Sequence, residues 1–255
     1  MKASLISWEV SDPLKVLVAV ITVPVFSYLL GVGYLHSMAG LALIHGNEPP
    51  TFSPSTATSS MSAHWLLIYP TLVPGFWILL ALFTSVVSVL TFRYDRDRGY
   101  ALSLYSLPYS KLGIYLSKVA STLIFAVLAS IFPLIAVAVF LNADLSPVLW
   151  SLLRSTPFLY ELVLTFYFVF FVLSVSVLFG VLFRNMFLSF LAAFFVTVVP
   201  YFSSLILPPF LFIEGFRDVT NGATPFSPAN VTTGLAFPIA LLLLSLAIFT
   251  RRDVV

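Results

Sequence analysis

Segment 93–118 holds the densest group of charged side chains in the sequence, five basic and two acidic. Residues 95–97 read Asp-Arg-Asp, which places two carboxylates among the basic side chains. Gly99 permits a sharp turn directly after them. A short apolar helix, too short to cross a membrane, follows and ends before Pro108. Lying at the membrane surface or in a groove of a partner, such a helix could transmit force.

Anchoring of the preceding helix is the alternative role for this charged segment. Positive side chains beside the cytoplasmic end of a membrane span are common, and they explain the arginines. They do not explain Asp95 and Asp97, or the ordered apolar block that follows Gly99. Both roles place the segment at a membrane surface.

Glu161 is the one carboxylate that the sequence places inside a predicted span, about one turn from its start. We favour a local ion pair with Arg154, because charged side chains near the outer interface can reach water. A position on a substrate path is the second possibility. A weak candidate for an outer gate combines four charged residues: Glu161, Glu214, Arg217 and Asp218.

Two further patterns on the predicted outer side are weaker. Imidazole is a common ligand of zinc and copper, and His36, His45 and His64 lie in or beside the first outer loop. Their spacing matches no recognised ligand pattern, so solvated histidines are favoured over a metal site. Asn230-Val-Thr232 matches a glycosylation acceptor, but it adjoins a span, which disfavours modification.

Several catalytic devices are absent from the sequence. It contains no phosphate loop of the form GxxxxGK[ST], no HExxH motif and no cysteine. No predicted span carries paired carboxylates or a Ser–His–Asp set, which an intramembrane enzyme would need. We therefore do not expect the chain to be an enzyme, or to bind a metal or another cofactor itself.

The composition is that of an integral membrane protein. Of the 255 residues, 60% are hydrophobic and only 9% are charged, whereas globular domains carry about 25% charged residues. A helix needs about 20 apolar residues to cross the hydrocarbon core. The sequence predicts an all-α polytopic protein with six spans, at 13–36, 65–92, 112–141, 157–183, 186–207 and 231–250.

The predicted connections differ in character. Residues 2–12 are expected to form an amphipathic interfacial helix, and 208–230 an outer re-entrant segment, since non-helical backbone at membrane depth must be covered by protein or water. The remaining connections are outer loops at 37–64 and 142–156 and a cytoplasmic loop at 93–111. With the N-terminus inside, ten basic residues lie on the inner side and two, Arg154 and Arg217, on the outer side. Both termini are therefore predicted to be cytoplasmic.

The charged segment resembles a loop of the ABC type-two permease family, the membrane subunits of ABC-type exporters. That family's loop reads Glu-Arg-Glu-x-Gly-Thr-Leu, then a leucine-rich stretch, Pro-Val-Ser-Arg and Ile-x-Leu-Gly-Lys. This chain has Asp-Arg-Asp-Arg-Gly-Tyr-Ala at 95–101, then Leu104, Pro-Tyr-Ser-Lys at 108–111 and Ile-Tyr-Leu-Ser-Lys at 114–118. Its departures include Asp95 and Asp97, which replace Glu, and Tyr100, Lys111 and Ser117, which replace Thr, Arg and Gly. The predicted topology extends the resemblance to the whole chain.

The resemblance implies a coupling helix that docks on a separate ATPase subunit, which would hold ATP and magnesium. Closure of two ATPases would push this helix and the N-terminal helix, and two permease chains would then open a path across the plasma membrane. The resemblance assigns ATPase coupling to Asp95, Arg96, Asp97, Gly99, Tyr100, Leu104, Pro108, Ser110, Lys111 and Lys118.

The cargo is expected to be apolar or amphipathic, because the spans are rich in Phe and small residues. Tyr28, Ser85, Ser88, Thr197 and Tyr201 are polar positions that could line a path, although hydrogen bonds between helices are the favoured role. The sequence leaves open whether the dimer joins two identical or two related chains. The alternative function is a non-transporting scaffold or anchor subunit of a larger membrane complex.

Overall fold

The computed structural model describes residues 3–44, 74–97, 109–141, 153–203, 207–220 and 223–251, and within these ranges no strand occurs. The helices are α1 (Ala3–Val10), α2 (Pro13–Ile44), α3 (Pro74–Asp97), α4 (Lys111–Leu141), α5 (Thr156–Leu182), α6 (Met186–Phe202), α7 (Leu211–Thr220), α8 (Pro228–Val231) and α9 (Phe237–Arg251). A π-helical turn, Thr232–Ala236, joins α8 to α9. The prediction of an all-α protein is confirmed.

Within the described residues, five helical segments are long and apolar enough to cross a membrane: Pro13–Val32, Gly75–Tyr94, Lys111–Pro133, Phe158–Leu182 and Pro228–Arg251. The helix at the fifth predicted span, α6, has 17 residues. At 1.5 Å per residue it is about 26 Å long, slightly less than the hydrocarbon thickness of about 30 Å. A multi-pass membrane protein follows from these helices, while the sixth crossing stays a prediction.

Side-chain caps fix where several helices begin. Asp12 Oδ1 accepts a hydrogen bond from Leu14 N at 3.0 Å at the start of α2. Ser155 caps α5 directly before its Thr156-Pro157 start, and Asn185 Oδ1 accepts from two amides at the start of α6. Each cap satisfies amides that have no partner within the helix. The chain therefore enters these three helices where the sequence indicates.

Two helices end later than the predicted spans. The first span was expected to end at residue 36, but α2 continues to Ile44. The second was expected to end at residue 92, but α3 continues to Asp97, so 93–97 are helical rather than the start of a loop. Residues 65–73, the first part of the predicted second span, lie outside the described residues.

The centre of the bundle is α5. It packs against α3, α4, α6, α7 and α9, and its buried side chains include Leu164, Phe168 and Val172. Gly180 faces α3, where an added Cβ would make an ordinary contact with Phe92 Cβ at 3.6 Å. By contrast, only 17% of the residues in the most apolar stretch of α2, and of the span Pro228–Arg251 that includes α9, are buried. The corresponding share is 67% for α3 and α5. The outer faces of α2 and α9 therefore contact lipid or another chain.

The helix directions define two ends of the bundle. The charged end holds α1, the first turns of α2 and α4, the last turns of α3 and α9, and the connection 183–185. The opposite end holds α7, α8, the π-helical turn and the first turns of α3 and α5.

Helix α7 covers the opposite end of α5. Phe212, Phe216 and Val219 are buried, whereas Glu214 and Asp218 are exposed. Positions separated by three or four residues share one face of a helix, so the apolar face of α7 packs inward. A helix within the predicted re-entrant segment is therefore present, and its depth in a membrane stays a prediction.

Candidate functional site

Three charged side chains are buried together at the charged end. Glu9, Lys15 and Lys118 expose only 3–4% of their side-chain surface. Lys15 Nζ binds Glu9 Oε2, and it also donates to the Glu9 carbonyl at 3.3 Å. Lys118 Nζ lies 3.1 Å from Glu9 Oε1. We call these three residues the Glu9 cluster.

The turn between α1 and α2 brings two members of this cluster together. Glu9 lies in the last turn of α1, and Lys15 lies in the first turn of α2. Ser11 Oγ donates to the Ser7 carbonyl at 2.8 Å and so closes the end of α1, while Asp12 caps α2. The tight connection directs both side chains toward α4, on which α1 packs.

Lys118 extends the Glu9 cluster to a third and fourth helix. This residue lies in α4, and its Nζ donates to the Thr91 carbonyl of α3 at 2.9 Å. One turn further along α4, Thr122 Oγ1 lies 3.3 Å from Thr91 Oγ1. The two helices that flank segment 98–110 are therefore joined to each other and to α1 and α2.

Burial makes these contacts interdependent. A charged group transferred from water to an apolar interior loses several kcal/mol of hydration, and it is retained there only with partners. Glu9 supplies one carboxylate for two ammonium groups, with Asp12 a more distant partner 3.9 Å from Lys15 Nζ. The arrangement therefore fixes one relative position of α1, α2 and α4.

Arg93 makes a second buried connection at the same end. Its guanidinium binds Asp97 Oδ1 one turn later in α3, and it also donates to the carbonyl of Arg184. The Arg184 carbonyl belongs to the connection between α5 and α6. The last turn of α3 is thereby joined to both of these helices, which explains why α3 stays helical as far as Asp97.

The residues assigned to ATPase coupling are only partly described. Asp97 is exposed. Ser110 caps α4, since its Oγ accepts from Gly113 N at 3.1 Å. Lys111 is exposed and donates to the Thr250 carbonyl at 3.3 Å, whereas Lys118 is buried in the Glu9 cluster.

The structure does not describe the side chains of the other residues assigned to ATPase coupling. Asp95 and Arg96 lie in the last turn of α3, but their side chains are not described. Gly99, Tyr100, Leu104 and Pro108 lie outside the described residues. Their contact with an ATPase stays a prediction.

The residues of the candidate outer gate differ in exposure. Glu161 is buried at 4% exposure, whereas Glu214 and Asp218 are exposed. Arg154 is also exposed, and within the described residues no salt bridge joins it to Glu161. The local pair that the sequence favours is therefore absent, because the helix turns Glu161 inward.

Arg217, the three histidines and Asn230 add no further candidate site. The side chain of Arg217 and that of His36 are not described, and His45 and His64 lie outside the described residues. Asn230 lies in α8, where its backbone amide donates to Ser227 Oγ at 3.2 Å. The metal and glycosylation hypotheses stay untested.

The polar residues proposed to line a path divide into two groups. Ser176 Oγ of α5 donates to Ser85 Oγ of α3 at 3.1 Å, while Ser88 and Thr197 donate to carbonyls of their own helices. By contrast, Tyr28 is 71% exposed on α2 and Tyr201 is 36% exposed on α6. The two tyrosines therefore lie on faces that are open to lipid or to another chain.

Sequence reasoning missed Glu9, Lys15 and Arg93 as members of a buried network. Lys15 and Arg93 belong to the predicted inner set of basic residues, and Glu9 lies in the predicted interfacial helix at 2–12. The available signal was chemical: a lysine in the first turn of an apolar span, close after a carboxylate, needs a partner when it is buried.

Comparison with known protein families identifies a match. The family described as "ABC-2 family transporter protein" matches residues 14–200, which include α2 to α6. No curated protein and no solved structure matches the chain. The match covers more than half of the sequence, and ABC-2 permeases associate with an ABC ATPase subunit. This chain therefore belongs to the ABC-2 transporter family, as a permease-like membrane component of an ABC transporter.

Proposed function

We propose that this chain is the permease subunit of an ABC exporter. It forms, with a second permease chain and two separate ATPase subunits, a pathway for an apolar or amphipathic substrate. The Glu9 cluster carries this proposal, because it fastens the N-terminal helix to both helices that flank the predicted coupling segment. Family membership supplies the ATPase partner.

The first step is docking of segment 93–111 on the ATPase. Asp95 and Arg96 make charge-assisted contacts at the end of α3, Gly99 allows the chain to turn, and Leu104 fills an apolar groove of the ATPase. ATP and magnesium are bound by that subunit. This chain is not an enzyme, and it carries no cofactor.

The second step is transmission of the ATPase movement to the spans. A displacement of segment 98–110 acts on the end of α3 and the start of α4 together, since Lys118 is bonded to the Thr91 carbonyl. Glu9 passes the movement to α1 and α2, and Arg93 passes it to the connection between α5 and α6. Electrostatic contacts are strong where water is excluded, so these links resist separation.

The third step is opening of a path beside α2 and α6. Large apolar or aromatic side chains lie exposed on both helices, including Tyr28, Phe195 and Phe202 at 71%, 56% and 73% exposure. We assign the second permease chain to these faces, with the cargo passing between the two chains. An apolar wall suits an apolar or amphipathic cargo, because the wall can cover the apolar part of the cargo as it leaves the bilayer.

Orientation follows from the distribution of basic residues. All the basic side chains discussed at the charged end, including Lys15, Arg93 and Lys118, belong to the predicted inner set. The charged end is therefore assigned to the cytoplasm, with both termini on that side of the plasma membrane.

The test uses the double substitution Gly99→Val with Leu104→Asp in the full chain. We expect the variant to insert and fold, but to lose ATPase co-purification and substrate-stimulated ATP hydrolysis. Arg154→Gln, at the opposite end, is the matched control and should retain both. Unaltered association and hydrolysis in the double variant would remove the coupling role and favour a scaffold.

A further inference from the structure

We infer that Tyr115 is a positioning residue for transport, which carries the movement of segment 93–111 from α4 to the last span, α9. Tyr115 lies in the second turn of α4, directly beyond that segment, and it is buried. Its hydroxyl donates to the Leu242 carbonyl of α9 at 2.8 Å and also contacts Ser245 Oγ. The inference rests on the proposed function, which supplies the movement but gives α9 no part in it.

Three buried aromatic rings from three helices meet at this residue. The Tyr115 ring centroid lies 5.5 Å from that of Phe92 in α3 and 5.5 Å from that of Phe249 in α9. The Phe92 and Phe249 centroids are 6.3 Å apart, so the three rings form a closed triangle. Close-packed side chains transmit displacement, because they have little room to yield. Both helices that flank segment 98–110 therefore press on α9 when that segment moves.

The residues of α9 that take part share one face of that helix. Leu242, Ser245 and Phe249 are separated by three and four residues, which places them together on the side that meets α4. Leu243 and Ala247 lie on the far side of the helix and are exposed. The bundle therefore holds α9 from one side, and the contact with Tyr115 is part of that hold.

The hydroxyl of Tyr115 adds a property that the ring contacts lack. Aromatic contacts tolerate several packing angles, so rings alone would let α9 slide or turn against α4. A hydrogen bond requires its donor and acceptor to stay aligned and within about 3 Å of each other. Because the Leu242 carbonyl belongs to the helix backbone, the bond fixes α9 itself and not a side chain that can rotate. Tyr115 can therefore pull α9 along with α4, whereas the rings can only push it.

The other end of the last span supplies a pivot for this movement. The π-helical turn Thr232–Ala236 directly precedes α9, and kinks in helices occur at such turns. Gly234 of this turn packs on α5, where an added Cβ would lie 2.5 Å from Tyr167 Cγ. A displacement imposed on Leu242 and the residues after it therefore tilts α9 about the π-helical turn.

The experiment measures distances between spin labels by electron paramagnetic resonance, in the complex of the full chain with its co-purified ATPase. The chain has no cysteine, so introduced cysteines are its only labelling sites. Leu116→Cys with Leu159→Cys gives a first distance, from α4 to the opposite end, and Leu116→Cys with Ala247→Cys gives a second, from α4 to α9. All three sites are exposed. Labelled chain is diluted with unlabelled chain, and adenylyl imidodiphosphate with magnesium is added to close the ATPases.

In the wild type, the nucleotide should change the first distance by about 2 Å, the size of common helix shifts, and leave the second constant. In Tyr115→Phe the first distance should change as before, and the second should now change by about 2 Å as well, since α9 no longer follows α4. Ser130→Ala is the matched control, because it removes a buried hydroxyl of α4 whose hydrogen bond, to the Val127 carbonyl, stays within that helix. It should behave like the wild type.

The two distances separate this inference from the proposed function. A constant second distance in Tyr115→Phe, while the first still changes, would overturn the role of Tyr115 and leave the proposed function intact. Loss of the first change in Tyr115→Phe alone would also overturn it, since the hydroxyl would then act on α4 itself. An unchanged first distance in the wild type, with the ATPase bound, would contradict the proposed transmission and this inference with it.

Discussion

The two ends of the helix bundle are held together by different chemistry. At the charged end, Glu9 joins two buried lysines from α2 and α4. At the opposite end, aromatic rings fill the space between α3, α5 and α7. The Trp77 ring centroid lies 4.7 Å from that of Phe168 and 4.9 Å from that of Phe216. A buried carboxylate, Glu161, also lies at this end.

This difference assigns different mechanical roles to the two ends. A buried charge has few acceptable positions, because leaving its partner exposes it to an apolar surrounding. Aromatic contacts depend mainly on buried area and tolerate several packing angles. We therefore expect the charged end to move as a unit under the ATPase, and rearrangement during transport to occur at the opposite end.

Loss of the shared carboxylate should have the largest effect on stability. Glu9→Leu leaves two buried ammonium groups without their carboxylate, and we expect the free energy of unfolding to fall by about 3–5 kcal/mol. Unfolding by SDS, followed by circular dichroism, measures this change. Adding Lys15→Leu and Lys118→Met should recover most of the loss, since an apolar set can replace an ionic one. A single variant within about 1 kcal/mol of the wild type would show that the cluster is dispensable.

The close packing at the opposite end should be broken by one methyl group. A Cβ at Gly234 would lie 2.5 Å from Tyr167 Cγ and 2.8 Å from Tyr167 Cβ. These atoms are close to the backbone and cannot swing aside, so Gly234→Ala should lower the free energy of unfolding by about 1–3 kcal/mol. Gly31→Ala is the matched control, because nothing lies within 4 Å of its added Cβ. Equal melting temperatures for the two variants would contradict the packing described for the π-helical turn.

A hydroxyl near the charged end should have a smaller effect. Tyr115→Phe removes the hydrogen bond to the Leu242 carbonyl, and a loss of about 1 kcal/mol is expected in the same unfolding titration. Tyr28→Phe makes the same chemical change at a side chain that is 71% exposed, and it should leave stability unchanged. If the two variants lose equal stability, the bond between α4 and α9 contributes nothing.

The smallest effect is expected at the carboxylate of the opposite end. Glu161→Gln keeps the volume of the side chain and removes no described salt bridge, so we expect a loss below about 1 kcal/mol. Glu9→Gln should cost several times more, because it removes a charge that two lysines share. Similar losses in the two glutamine variants would mean that the ends do not differ as described.

The sequence predicts helix starts better than helix ends. Asp12, Ser110 and the Thr156-Pro157 pair precede apolar runs, and caps act locally, so their positions can be recognised without a structure. The end of α3 depends instead on Arg93 reaching the Arg184 carbonyl of a distant connection. No local pattern records that contact, and the helix therefore continues beyond its predicted end.

The same distinction applies to the candidate site. The charged segment 93–118 is visible in the sequence because its residues are consecutive. The Glu9 cluster is not, since Glu9 and Lys118 come from opposite parts of the chain and meet only when α1 packs on α4. Lys118 was assigned to ATPase coupling from its place in the motif, and the structure adds an internal partner for it.

Purification of the chain in mild detergent from its own membrane, followed by mass spectrometry of the bound proteins, tests the central claim most directly. The account predicts recovery of a subunit that contains a phosphate loop, in about equal amount to the permease chain. Recovery of redox or other membrane subunits, without any such ATPase, would contradict it. The charged segment would then be an anchor, and the chain a scaffold.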